Sequence, residues 1–216
     1  MTVTAIAMSK PRVKTLLEFL AVYTGWTLYG VLYPFIGRWS FNYNGLLLRL
    51  PGTSRHFVLT LLLWTKNHHI VYLLMRTVYN TGFTWTMVLT FGYLLLVGET
   101  DRARRVVLGY AIAFTLLAMI FAVANVNAPH YIYQGLPERY SPNGWQARPQ
   151  FVLPSPHCTI ATISFLALWR RKEFPAKMLA LWIALIPPAT VLLAEHWIWD
   201  AATGIILGLL VHRYTN

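Results

Sequence analysis

Charge is scarce in this chain. Only 12% of its 216 residues are Asp, Glu, Lys or Arg, against roughly 25% in a soluble domain. Acids are scarcest of all: seven Asp and Glu stand against 18 Lys and Arg, for a formal net charge of +11. A single cysteine, Cys158, rules out an internal disulfide. The seven histidines form no His-x-x-x-His box, and no internal repeat is visible. So little charge excludes a disordered chain, a coiled coil and most soluble enzymes.

Apolar surface is abundant instead. Hydrophobic residues make up 56% of the chain and aromatics 15%, and the mean hydropathy is +0.49. Such a chain is solvated by lipid. The basic excess then reads as topology and lipid head-group attraction rather than nucleic-acid binding. A span takes about 20 apolar residues, so the length allows roughly six or seven and no separate soluble domain.

The pattern predicts an all-α integral membrane protein: six transmembrane helices in a helical bundle, with an interfacial or re-entrant segment after the first. The spans run from about Val13 to Ile36, Thr81 to Val97, Val106 to Val126, Pro156 to just before Arg170, Ala176 to Ala194, and Trp197 to Val211. Residues 1–216 form one membrane domain, with the first span and a basic outer segment in 1–80 and a catalytic helical core in 81–216. The basic start (Lys10, Arg12, Lys14) leads into an apolar stretch with no small-residue cleavage signal, so it reads as a span that stays.

Basic residues set the orientation. Six crossings from an inside N-terminus put Lys10, Arg12, Lys14, Arg102, Arg104, Arg105, Arg170, Arg171, Lys172, Lys177 and Arg213 inside, eleven of the 18, and leave seven outside. Both termini are then cytoplasmic. The outer segment 37–80 holds Arg38, Arg49, Arg55, Lys66 and Arg76 with no acid. A seventh span there would bury Lys66, Asn67, His68, His69 and Arg76, which is costly in lipid. The second outer segment, Asn127 to Ser155, carries five prolines and two glycines and reads as an irregular loop. Nine Trp and twelve Tyr suit interfacial belts.

Two local signals carry chemistry. The first is Glu195-His196-Trp197-Ile198-Trp199-Asp200, followed by Gly204 and Gly208. A His and an Asp four apart share a helix face. The Asp can fix one imidazole nitrogen and leave the other free as nucleophile or base. The alternative is a pair that merely satisfies itself at the interface. Gly204 and Gly208 form a small-xxx-small step that admits a neighbouring helix. The second signal is Leu153-Pro154-Ser155-Pro156-His157-Cys158. Pro156 suits a first helical turn and Ser155 an N-cap. The free amides there attract phosphate, and a His beside phosphate can act as general acid. The alternative is an ordinary cap with an interfacial His. The 38 residues between His157 and His196 span an outward and return crossing, which brings both to one membrane face, outside. Arg139 and Arg148 lie in the loop on that side, and no metal is needed for the scheme.

These motifs resemble the type-2 phosphatidic acid phosphatase superfamily. Pro154-Ser155-Pro156-His157 is similar to its Pro-Ser-Gly-His motif, and His196 to Asp200 with Gly204 is similar to its His-x-x-x-Asp-x-x-x-Gly motif. The likeness covers about Val123 to Val211. It implies a helical-bundle core, a site near one membrane face and a phosphohistidine intermediate. It further implies His196 as nucleophile, Asp200 as its orienting partner, His157 as acid for the leaving group and Ser155 as a phosphate ligand. The departures are definite. Ala189 and Thr190 stand where the phosphatases have Ser-Arg, Ser141 stands for the Lys of the Lys-x6-Arg-Pro motif, and Pro156 stands for Gly. Arg148-Pro149 matches the end of that first motif, which makes Arg148 the candidate phosphate-holding cation. The aureobasidin-resistance branch, inositolphosphorylceramide synthase and its relatives, does not require the Ser-Arg pair. Its proline-rich segment is similar to Asn127-Ala128-Pro129-His130.

The resemblance thus implies a lipid phosphotransferase of inositolphosphotransferase type, with a lipid phosphate phosphatase as the alternative. Its partners are a lipid with a phosphate head group and the membrane, not nucleic acid, and it needs no cofactor. Two rivals remain open. One is a membrane oxidoreductase holding metal on His157, His196 and Asp200. The other is a non-catalytic transporter or scaffold. His130, His68, His69 and Cys158 read as structural, and the basic residues of 37–80 as snorkelling to lipid phosphates.

Overall fold

The computed structural model describes residues 10–137 and 150–216 and is mostly helical. The long helix α1 (Lys10–Ile36) ends in a 3-10 turn (Gly37–Trp39), the short strand β1 (Phe41–Asn42) and the single-turn helix α2 (Asn44–Leu47). Helices α3 (Arg55–Asn67), α4 (His69–Thr81) and α5 (Thr84–Leu96) follow, then α6 (Thr100–Val123), strand β2 (Ala124–Asn125) and another single turn, α7 (Pro129–Ile132). The C-terminal part holds α8 (Pro156–Trp169), α9 (Phe174–Ala184), α10 (Ile186–Leu192) and α11 (Ile198–Thr215).

Among the described residues, three stretches are long and apolar enough to cross a membrane: Lys10–Trp39, Thr100–Val123 and Phe174–Leu192. Thr84–Leu96 and Pro156–Trp169 are apolar but shorter. The stretch predicted from Thr81 to Val97 is therefore a helix of only 13 residues. The stretch predicted from Ala176 to Ala194 is interrupted at Leu185. Pro187 and Pro188 explain that break, because a proline offers no N–H and its ring crowds the carbonyl four residues back.

α1 and α6 run parallel. Arg104 pairs with Glu18 at 3.4 Å, the Tyr29 hydroxyl donates to the Ala118 carbonyl at 2.8 Å, and the Tyr33 hydroxyl donates to the Phe121 carbonyl at 3.0 Å. The pairing continues past both helices, where β1 and β2 pair in parallel, Phe41 with Ala124 and Asn42 with Asn125. Stacked rings fill the space between the helices. Phe19 lies on Phe91 at 4.3 Å, Trp26 on Phe114 at 4.5 Å and Phe121 on Phe151 at 4.9 Å. Each such pair is worth about 0.5–1.5 kcal/mol beyond simple burial.

The polar turns gather at one end. Arg171 bonds Glu99 and Glu173, which ties the α8–α9 turn to the α5–α6 turn. These hydrogen bonds, Glu173 first, raise the Arg171 guanidinium above its usual value. Arg105 reaches Asn216 at the end of α11 at 3.3 Å. The starts of α8 and α11 therefore lie at the opposite end. Along the flanks, Leu17, Leu28, Phe35, Leu108, Met119, Leu181 and Leu210 face outward. An outward apolar surface on internally bonded helices matches a lipid solvent.

Residues 55–81, predicted as an interfacial or re-entrant segment, form two helices joined by a bend. Ser54 caps α3 by accepting from the Phe57 amide at 3.2 Å. Val58, Leu62 and Thr65 of α3 and Met75, Val78 and Tyr79 of α4 are buried, each set at helical spacing. The chain bends at His68, whose φ of −101° and ψ of 79° leave the helical region. Both helices pack on α10. α8 and α11 make the closest crossing. A methyl built on Gly204 would stand 2.6 Å from the Ser155 carbonyl oxygen, and one on Gly208 would stand 2.6 Å from Thr162 Cβ. Only hydrogen fits at either place, as the small-xxx-small step requires.

Candidate active site

The start of α8 is built as the sequence suggests. Ser155 Oγ accepts from the Cys158 amide at 3.3 Å, and Pro156 occupies the first turn. The Ser155 N–H donates to the Asp200 carbonyl at 3.0 Å. This bond, together with the Gly204 contact, seats the α8 terminus on the first turn of α11. Ser155 is fully buried. His157 projects from the first turn of α8, partly buried.

His196 comes from the segment between α10 and α11. Ala194 takes a φ of +57° there, a left-handed conformation that side-chain-bearing residues seldom adopt. Both Glu195 and His196 then donate their N–H groups to the Thr190 carbonyl, at 3.1 and 3.0 Å. The strained turn is thus held by two bonds to one oxygen. It directs His196 into the bundle, where the residue is 5% exposed. Burial lowers its pKa to about 4, opposed by a hydrogen bond with the Val152 backbone, so the imidazole is neutral at physiological pH.

Four of the five predicted site residues meet here. His196 Nε2 lies 3.4 Å from Ser155 Oγ. Its Nδ1 lies 3.6 Å from Asp200 Oδ2, longer than a hydrogen bond. That carboxylate oxygen accepts from the Trp197 N–H at 2.7 Å, so Asp200 also caps α11. The rings of His157 and His196 meet edge to face with centroids 5.5 Å apart. Among the described residues, His157 Nδ1, His196 Nδ1 and Asp200 Oδ1 are buried without a hydrogen-bond partner. Such atoms are costly to bury idle, and three in one site mark where a polar ligand or a small inward shift would satisfy them. Arg148, the fifth residue, lies outside the described residues, as does Arg139.

The remaining predicted positions have local roles. The Thr190 hydroxyl, where the phosphatases carry Arg, donates to the Pro187 carbonyl at 2.8 Å, and its own carbonyl holds the His196 turn. Cys158 is buried with Sγ 3.7 Å from Thr190 Oγ1. His130 Nε2 lies 3.2 Å from the Leu193 carbonyl, bracing the approach to His196. His68 Nδ1 meets the Trp64 carbonyl at 2.7 Å. Lys66 and Arg76 lie over the ring of Tyr72, each 5.9 Å from its centroid. Among the described residues, no three His, Cys, Asp or Glu side chains form a metal-ligand group.

Sequence reasoning missed the aromatic surroundings. Tyr79 stacks on His157 at 5.0 Å and 22°, and Phe83 tilts against it at 5.2 Å. Both come from the α4–α5 junction, and no motif or spacing announces them. Trp197 is fully buried, and its indole N–H donates to the Asn127 carbonyl at 2.8 Å, pinning the second outer segment to the site. The Trp-Asp capping geometry was within reach, since Asp200 stands three residues after Trp197.

A helical membrane protein with a buried His-Asp pair facing a Ser-capped helix terminus and a second His defines the class. Comparison with known families gives the particular group. The model of the PAP2 superfamily matches residues 47–214, and the chain belongs to that superfamily. Membership points to a phosphatase or phosphotransferase type of lipid enzyme. An uncharacterized protein of Methanocaldococcus jannaschii is 24% identical over 174 residues, covering 79% of this chain and 71% of its own length. No solved structure matches the chain significantly.

Proposed function

We propose that this protein is a membrane enzyme that transfers the phosphoryl or phospho-head group of a lipid through a phosphohistidine on His196. The observation that carries the reading is the alignment of His196 Nε2 with the Ser155 cap at 3.4 Å, with His157 facing it and Asp200 behind it. A phosphate at the α8 terminus would meet the Ser155 hydroxyl and the His157 amide, since Pro156 has no N–H and the Cys158 and Thr159 amides are bonded to Ser155. It would also lie within reach of both imidazoles.

The steps follow from these positions. Neutral His196 attacks phosphorus through Nε2, a bond from phosphorus to the leaving oxygen breaks, and protonated His157 gives that oxygen its proton. Water or a second lipid hydroxyl then loses a proton to His157 and attacks phosphohistidine, which frees His196. Asp200 stabilises the positive charge on the His196 ring. Arg148 is the cation we assign to the phosphate oxygens. The topology proposed with this mechanism has six crossings in one membrane domain, the core in 81–216, both termini in the cytoplasm and the site outside. The gathering of Glu99, Arg102, Arg105 and Arg171 at the end away from the site supports it.

The departures at Ala189, Thr190 and Ser141 favour the inositolphosphotransferase-like branch, in which a lipid alcohol takes the group. The superfamily match keeps a lipid phosphate phosphatase as the second reading. Purified protein in detergent, incubated with radiolabelled lipid phosphates and phosphodiesters with and without a lipid alcohol, separates the two. Label entering a new lipid only with the acceptor supports transfer. Free phosphate released without it, and lost in His196→Ala, supports the phosphatase.

A further inference from the structure

His157 is held by rings from a distant part of the chain. Tyr79 closes the last turn of α4 and is 6% exposed. Its ring lies nearly parallel to the His157 imidazole, with centroids 5.0 Å apart and an angle of 22°. Phe83 covers a second side at 5.2 Å and 59°. His196 meets the ring edge-on at 5.5 Å and 66°. Gly82, between the two aromatics, makes the bend possible. A methyl there would stand 2.8 Å from the Val78 carbonyl oxygen and 3.4 Å from Ile186 on α10.

Aromatic faces carry negative charge density, so a cation within about 6 Å of a ring centroid is stabilised, more so when water is excluded. Both rings meet that distance. A neutral imidazole gains only packing from them, whereas an imidazolium gains electrostatic attraction as well. We propose that Tyr79, together with Phe83, is a positioning residue for His157: the rings fix the imidazole plane toward His196 and favour its protonated form, which poises it to give a proton to the leaving oxygen. The inference rests on the reading of His157 as general acid. It makes the α4–α5 junction part of the site. Among the described residues, the titratable groups facing His157 are Tyr79 from α4 and His196 from the segment before α11. Asp200 of α11 lies behind His196, and Phe83 at the start of α5 is neutral.

The test is an NMR titration of the protein in detergent micelles with 13C-labelled histidine, using His157→Gln and His196→Gln for assignment. It requires no turnover, so failure of the phosphotransfer reading would leave it intact. Tyr79→Leu keeps the site apolar but removes the ring face. The His157 midpoint should fall by about half to one and a half pH units. Tyr79→Phe keeps the ring and should hold the midpoint near its original value. Phe83→Leu should lower it in the same direction and serves as the second variant if Tyr79→Leu does not fold. A residue acting only through packing would leave the midpoint in place. An unchanged or raised midpoint in the folded Leu variants would overturn the proposal. Where turnover is measurable with dioctanoyl phosphatidic acid, Tyr79→Leu should move the alkaline limb of kcat to lower pH while KM stays put.

Discussion

Gly204→Ala should cost rate out of proportion to stability, and Gly208→Ala the reverse. The two glycines lie one turn apart on the same face of α11. A methyl on Gly204 would meet the Ser155 carbonyl oxygen at 2.6 Å, the Ser155 nitrogen at 3.2 Å and Cys158 Cβ at 3.0 Å. That carbonyl cannot swing away easily, because it accepts from both the Thr159 amide at 3.0 Å and the Thr159 hydroxyl at 2.8 Å. Ordinary contact needs several tenths of an ångström more, so the whole α8 terminus must move. Such overpacking costs about 1–3 kcal/mol, partly offset by roughly 1 kcal/mol of helix propensity. A displacement near 1 Å at reacting groups can cost about 10²-fold in rate. Here it would separate Ser155 from His196, now 3.4 Å apart. Gly208→Ala presses instead on Thr162 Cβ at 2.6 Å and the Thr159 carbonyl at 2.8 Å, one turn below the site. We expect similar losses in thermal stability for both variants in detergent, but a rate loss of about 10²-fold for Gly204→Ala and less than tenfold for Gly208→Ala. Equal rates in the two variants would refute the argument that the glycine step sets the α8 terminus.

Asp200 has two separable duties. Asp200→Asn keeps an oxygen for the Trp197 N–H, now bonded at 2.7 Å, but loses the charge. It should fold nearly as well as wild type while losing about 10²–10⁴-fold in rate. Asp200→Ala should also melt earlier, by about 1 kcal/mol for the lost cap. Stability should depend on pH through His196. Its folded pKa, about 4, lies below the ordinary 6.5, so its contribution is full above about pH 6.5 and is lost as pH falls through about 4. The loss is on the order of 3 kcal/mol, and denaturation followed from pH 7 to 4 should show stability falling more steeply in wild type than in His196→Gln.

The sequence made the chemistry legible where it obeys helical spacing. His196 and Asp200 are four apart, Gly204 and Gly208 continue the same face, and Ser155-Pro156 announces a helix start. All of these act within one or two turns. The break at Leu185 was also signalled, by Pro187-Pro188, but a uniformly apolar stretch masks an interruption. The pair of helices α3 and α4 was harder, because Lys66, His68 and His69 crowd the bend and dilute the apolar stripe that Val58, Leu62, Met75 and Val78 form. Tyr79 and Phe83 gave no sign. Their contact with His157 joins residues more than 70 positions apart, and the packing of α4 against α10 and of α5 against α8 produces it. The support of the His196 turn by the Thr190 carbonyl is likewise a backbone matter that side-chain identity does not report.

The most direct test of the central assignment is to trap the covalent intermediate. Wild-type protein mixed briefly with a 32P-labelled lipid phosphate and denatured in alkali should carry label that survives base and is released by acid, as a phosphoramidate does, and that maps to the peptide holding His196. His196→Ala should carry none, and His157→Ala should acquire the label more slowly than wild type. Label of the same stability in His196→Ala, or turnover undiminished in that variant, would contradict the account.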